Sequence, residues 1–429
     1  MRSKIIPFLL LFPLLFASSG EEGFVVPLPT RHISISVYIP PFSGDHDAAI
    51  PLSHVEQLQN VLINDINRNG VCHVRRSAKT PDFVVNVSLI KNEIVTSITS
   101  QTPTKTYTLP TQKLSGALCS DRRVIHQISD TLTKIMTGIE GIASNRILYA
   151  IQFSKEGGGE IAWTSEIWES DYDGHNQRQV THEQSYCITP IFFPVQGAVT
   201  KNKFLYVNYK LGQSKIYLGA FDGIRGEPFI HLRGNQLLPA ISQKGDMLAF
   251  ISDAGGRADL FIQPLSHRYG PLGKPIQLFS FPHSVQASPT FHPDGRQIAF
   301  VSDKEGTPRV FLINVQRDAN SSPKCLTTKY RQNICPSWSP DGTKLAYSAM
   351  IDGNRQIVVY DFLLGEEIQL THGKGHKENP SWASDSLHLI YNSVEFSSSE
   401  LFLVDVRQKR SLQITSGPGR KHYPVWRPG

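Results

Sequence analysis

The chain has 429 residues, 40% of them hydrophobic and 19% charged, with a formal net charge of +6. This is ordinary globular composition, and the length calls for more than one domain or one large repeat architecture. The positive charge is small and dispersed, and no run of five like charges occurs, so neither a nucleic-acid surface nor a charged tail is indicated.

Residues 1–19 read as a secretory signal. Arg2 and Lys4 form the positive end, residues 5–16 form an apolar run, and Ala17, Ser18 and Ser19 offer small residues for cleavage. A bilayer span needs roughly twenty apolar residues, so this run is too short to be one. The alternative, an uncleaved anchor, is disfavoured because no stop-transfer stretch follows. No cysteine lies near the cleavage site, which argues against a lipoprotein. The expectation is an exported, soluble mature chain. Cys72, Cys119, Cys187, Cys325 and Cys335 are too few for a disulfide framework and show no CxxC spacing. They read mostly as buried free thiols.

Residues 20–140 carry a mixed α/β pattern after a flexible N-terminal segment. Residues 33–39 (ISISVYI) alternate as a strand. Leu52, Val55, Leu58, Leu62 and Ile66 fall at helical spacing. Pro81 and Asp82 open FVVNVSLI, another strand. Residues 94–99 and 105–109 form a hairpin around Thr102 and Pro103. Val124, Ile125, Ile128, Leu132 and Ile135 mark one face of a second helix over residues 122–136. The expectation is a small α/β domain with helices packed against a sheet.

From residue 146 to 429 the helical period disappears. Proline-marked segments recur at Pro190, Pro239, Pro289, Pro336, Pro380 and Pro424, in steps of 49, 50, 47, 44 and 44 residues. Such a period marks a propeller or a solenoid. Each unit runs short strand, turn, second strand, third strand and a more polar fourth. The turns read ISQKG, FHPDG, WSPDG and WASDS. In Pro-Asp-Gly, proline presets φ, Asp bonds the backbone locally and Gly tolerates positive φ. Six second strands have only five first strands before them. The sixth is YPVW, residues 423–426, near the C-terminus. The last strand therefore completes the blade begun at Arg146, giving an all-β six-bladed propeller with no open edge.

Catalytic motifs are scarce. No GxSxG, Walker loop, HExxH, EF-hand or dinucleotide fingerprint occurs. His372 and His376 are separated by glycines on a loop and read as solvated rather than metal-binding. Asp294 and Asp341 read as turn carboxylates, and Trp338, Trp382 and Trp426 as core between blades. The innermost strands are largely apolar or small, which leaves few groups for chemistry. The loops approaching them are rich in Tyr, His, Asn and Gln and suit a protein-binding surface.

The segments SPTFHPDGRQIAFVSD (288–303) and PSWSPDGTKLAYS (336–348), together with the domain order, resemble the TolB family of the Tol-Pal envelope system. That resemblance covers nearly the whole mature chain. It implies a periplasmic, non-enzymatic scaffold with no cofactor or metal. Such a scaffold maintains outer-membrane integrity and supports envelope constriction at cell division. It implies that a Pal-like lipoprotein docks at the propeller mouth, on residues just before the innermost strands: Gln286, Ala287, Ser288, Asn333, Glu378, Asn379 and His422. It also implies that residues 21–30, including Phe24, Val25 and Val26, engage a TolA-like inner-membrane protein. Pro27 and Pro29 weaken the use of that segment as an added strand. His283 does not align without a gap to the family's histidine-bearing loop. The competing reading is a propeller-borne hydrolase or lyase with its site in the central channel.

Overall fold

The structure is a computed structural model and describes residues 34–44, 50–77, 79–155, 162–194, 200–268, 270–316 and 322–427. The signal segment and Phe24, Val25 and Val26 lie outside these residues.

Two helices cover a sheet in the N-terminal domain. Helix α1 spans Leu52–Arg68 and helix α2 spans Leu118–Thr137. The sheet order is Cys72–Arg75, Ile35–Tyr38, Phe83–Ile90, Glu93–Gln101 and Thr104–Thr108; the first three strands run parallel and the rest form hairpins. Phe83–Ile90 buries every second residue, as a half-covered strand must. Leu58, Leu62 and Ile66 of α1 meet Ile125, Ile128 and Leu132 of α2 over Val37, Val85 and Ile98. Each such side chain contributes about 1.5–3 kcal/mol by burial. Helix α2 begins at Leu118, earlier than the apolar spacing alone indicates, because Asp121 accepts backbone N–H groups from Ser115 and Gly116. It ends where Gly138, at φ 73°, returns its N–H to the Lys134 carbonyl at 2.8 Å.

Two short strands, Ser43–Gly44 and Gln112–Lys113, add to the N-terminal sheet, and the strands from Arg146 onward form six blades. Blade one holds Arg146–Lys155, Ala162–Asp171, Arg178–Gln179 and the C-terminal strand Arg420–Arg427. Val425 pairs with Leu148 and Trp426 with Ile147, so the C-terminus closes the ring as the repeat count requires. Blades two to six start at Cys187, Gln236, Gln286, Arg331 and His376. Blade three differs from expectation: its third strand, Asp259–Ser266, carries two outer partners, Gly270–Pro271 and Ile276–Phe279.

The turns follow their residues. Asp294 Oδ1 accepts the N–H of Arg296 at 2.8 Å, and Asp341 Oδ1 that of Thr343 at 3.0 Å. Gly295 and Gly342 sit at φ 74° and 72°. All five cysteines are free; Cys72 and Cys187 are buried, Cys325 and Cys335 are half-buried, and Cys119 is exposed.

The N-terminal domain packs on the edges of blades six and one. Its contacts reach the turn before His388, the turn after Asp405 and the turn after Asp171. These lie at the ends of the blades opposite the loops that approach the innermost strands. The propeller mouth is therefore the face turned away from the N-terminal domain.

Candidate interaction surface at the propeller mouth

Each innermost strand breaks its register at the same place. The shifts fall between Ile188 and Ile191, Leu237 and Ala240, Ala287 and Thr290, Ile334 and Ser337, Glu378 and Ser381, and His422 and Val425. At each bulge the residue before the repeat's proline adopts a left-handed backbone. These residues are Thr189, Leu238, Ser288, Cys335, Asn379 and Tyr423, with φ between 44° and 55°. Left-handed geometry costs an L-residue about 1–2 kcal/mol. A following proline further restricts the backbone of the residue before it. Bulges of this kind re-aim side chains at sheet ends and functional sites. Here they form a ring lining a channel of about 410 Å³. The channel continues past the six prolines to Pro194, Gln243, Pro293 and Pro340 on the turn side.

The bulge divides the expected mouth residues into two sets. Two positions before each ring residue stand Cys187, Gln236, Gln286, Asn333, Lys377 and Lys421, all buried. Gln286 is 1% exposed and Asn333 is fully buried, so their side chains are committed inside the scaffold. Gln286 Oε1 accepts from Ser302 Oγ at 2.9 Å, and its backbone N–H reaches Ala258 of the preceding blade. Asn333 Nδ2 donates to Thr327 Oγ1 at 2.7 Å, and its N–H reaches Pro308. Lys377 donates to the carbonyls of Gly373, Lys374 and Gly375. These residues pin the approach loops and one blade to the next.

Ala287, Ser288, Glu378, Asn379 and His422 are partly exposed. Glu378 pairs with Arg355 at 3.2 Å. Asn379 Nδ2 donates to the buried Asn392 Oδ1 at 2.8 Å. Burial and then the neighbouring Arg420 push the His422 imidazole down to about 4, so it is uncharged at neutral pH.

Sequence reading missed the rim. The second strands of blades two to four have six residues each, those of blades five and six have eight, and that of blade one has ten. The additions lie at the mouth end, where hairpins such as Ile351–Asn354 and Glu395–Ser398 close. Two extra residues raise the wall by about 7 Å and four by about 13 Å. The raised side carries exposed Phe153, Trp163 and Phe396, the last wholly in solvent, and Tyr209 and Leu211 stand beside it. Arg420 lies 5.7 Å above the Trp163 ring, and Tyr186 meets Tyr209 edge-on at 5.5 Å. Gly419 permits this crowding, since a Cβ there would lie 2.4 Å from Ile151 Cγ2. An asymmetric cup with aromatic side chains and a polar floor has the composition of a protein-binding surface. The hydrophobic-to-polar alternation gave no sign of it, because the extra rim residues continue strands that also exist in the lower blades.

Comparison with known proteins agrees with this architecture. Residues 133–429 match the family model described as the TolB beta propeller domain. A protein described as "Protein TolB homolog" from Protochlamydia amoebophila is 38% identical over 396 residues, which is 86% of this chain and 84% of that protein. One of the same description from Chlamydia caviae is 36% identical over 76% of each chain. The crystal structure of TolB from Acinetobacter baumannii has a TM-score of 0.72 at 20% identity, covering 92% of this chain and 96% of that one. That last likeness speaks to the fold alone. With more than half of the chain matched by the family model and a relative at 38% identity along most of its length, this chain belongs to the TolB family.

Proposed function

We propose that this protein is an exported periplasmic adaptor of the Tol-Pal system and does no chemistry itself. Its propeller mouth holds a Pal-like lipoprotein, with Ala287, Ser288, Glu378, Asn379 and His422 on the floor and the raised aromatic rim at the side. Gln286 and Asn333 shape that floor from inside. Residues 21–30, with Phe24, Val25 and Val26, engage a TolA-like inner-membrane protein. Through these two contacts the protein maintains outer-membrane integrity and supports constriction at division.

The observation that carries this reading is the rim. Exposed Phe153, Trp163 and Phe396 on one raised side favour a protein partner over solvent. The channel walls are prolines with mostly small or apolar neighbours, which favours binding over catalysis. The test is capture from the detergent-solubilised envelope of the source organism by immobilised residues 20–429. Recovery of a peptidoglycan-associated lipoprotein supports the adaptor role. Recovery of nothing above background by a folded propeller counts against it.

A further inference from the structure

We propose that the joint between the N-terminal domain and the propeller is a proton-operated latch, in which the imidazolium of His388 holds the end of helix α1 against blade six. This goes beyond the adaptor reading and does not depend on it.

The last carbonyls of a helix have no partners within it and carry partial negative charge. At the end of α1, blade six supplies the missing donors. His388 Nε2 lies 3.0 Å from the Arg68 carbonyl, Arg407 Nη2 lies 3.4 Å from that of Asn69, and Gln408 Nε2 lies 2.9 Å from that of Gly70. The surfaces touch directly: a Cβ on Gly70, at φ +77°, would lie 1.7 Å from Asp405 Oδ2.

His388 is fully committed on both sides of its ring. Its Nδ1 is 2.5 Å from Asp385 Oδ2. The other carboxylate oxygen, Asp385 Oδ1, accepts the N–H groups of Leu387 and His388 at 2.9 and 3.0 Å. These bonds and the imidazole hold Asp385 ionised against its burial. A carboxylate and a carbonyl both only accept. Both ring nitrogens must therefore donate, and only the imidazolium has two N–H groups. Asp405 Oδ2, 3.7 Å from Nε2, adds negative charge, while Arg407 opposes it. From the N-terminal domain the facing groups are the end of α1, Asn69, Thr133, Thr137 and Glu140; Glu140 is itself paired with Lys134.

A second buried histidine lies at the same joint, on the side of blade one. His126 Nδ1 of α2 is 2.7 Å from Asp65 Oδ2, and Tyr172 of blade one donates to Asp65 Oδ1 at 2.6 Å. The His126, Asp171 and Asp173 donor atoms lie within 4.8 Å of one another. Arg122 and Arg68 bear on Asp173, and Arg123 and Arg146 on Asp171. These arginines already neutralise the carboxylates, so the cluster suits a proton and not a metal ion.

Burial lowers both imidazoles, but Asp385 and Asp405 raise His388, and Asp65, Asp173 and Asp171 raise His126, with a net upward direction in each. On release Asp385 and Asp405 stay beside His388 and Asp65 beside His126; what undocking removes is the Arg68 carbonyl from His388 Nε2 and the Asp171 and Asp173 carboxylates from His126. An Nε2–H that only the docked state uses favours the proton there, so the latch has full strength while the released imidazole is still protonated and weakens as pH rises through the docked value.

The test uses the full chain labelled with ¹⁵N-histidine, with the His388 resonances assigned by loss in His388→Gln. Its imidazole nitrogens report protonation between pH 6 and 10. In parallel, spin labels on Leu52→Cys and Leu363→Cys, in a Cys119→Ser background, report the distance between domains. The expected result is two protonated nitrogens and a narrow distance distribution at pH 6. Loss of the His388 proton should accompany at least a twofold broadening. Asp385→Asn should move that broadening to lower pH, which keeps the test open if His388→Gln fails to fold. A neutral His388 at pH 6, or a distribution unchanged when its proton is lost, overturns the latch. A proton retained to pH 10 also overturns it.

Discussion

The indole Nε1 of Trp426 donates to the carbonyl of Ser381 at 3.0 Å, joining the innermost strands of blades one and six. Trp382 makes the same bond to Ser337, also at 3.0 Å, between blades six and five. Trp338 holds the equivalent place in the repeat but its buried Nε1 has no hydrogen-bond partner among the described residues; its ring stacks on Phe362 at 4.8 Å. An unpaired buried carbonyl costs about 1–3 kcal/mol, whereas removing an unpaired donor costs little. Trp426→Phe and Trp382→Phe should each lose about 1–3 kcal/mol in denaturant unfolding. Trp338→Phe should lose less than about 1 kcal/mol.

The ring is also closed by charge. Glu169 is fully buried and meets Arg146 at 2.7 Å, Arg178 at 2.6 Å and Arg427 of the C-terminal strand. Arg427 in turn lies 3.8 Å from the centre of the Phe221 ring in blade two. Removing one partner of a buried ion cluster leaves the others uncompensated and costs about 3–5 kcal/mol. Glu169→Gln should lower stability by about 3 kcal/mol, read as a fall in melting temperature. Loss of Arg427 should cost less, because two arginines remain on Glu169.

His422 gives a pH dependence opposite in sign to the latch. Its imidazole takes a proton near 4 in the folded chain and near 6.5 when unfolded. Between those values the unfolded chain binds more protons, so stability falls as pH falls. His422→Gln should therefore reduce the loss of stability between pH 6.5 and 4, measured as the slope of unfolding free energy against pH. An unchanged slope contradicts the burial assigned to this ring.

Blade number, closure and helix faces were legible because each rests on periodic spacing. YPVW could be assigned to blade one by counting strands, and Trp426 pairs with Ile147 as that count requires. The mouth was less legible. Simple alternation cannot tell whether Gln286 points into the scaffold while Ala287 and Ser288 are partly exposed, since the bulge between Ala287 and Thr290 resets the period. The rim was hidden for another reason. Its height depends on how far paired strands continue before turning, which the spacing of the repeat does not set. The buried histidines of the joint were not seen either, because His126 and His388 are 262 positions apart and meet the same joint only through the tertiary fold.

The raised rim is proposed as the surface that binds the partner. The most direct measurement is calorimetric titration of the soluble domain of the captured Pal-like lipoprotein into the wild-type chain and into a Trp163→Glu, Phe396→Glu double variant. Both side chains are exposed, so the variant should keep the wild-type melting temperature. The expected result is an affinity at least about tenfold weaker, the loss of a central aromatic anchor. Equal affinity in the folded double variant would remove the mouth rim as the binding surface.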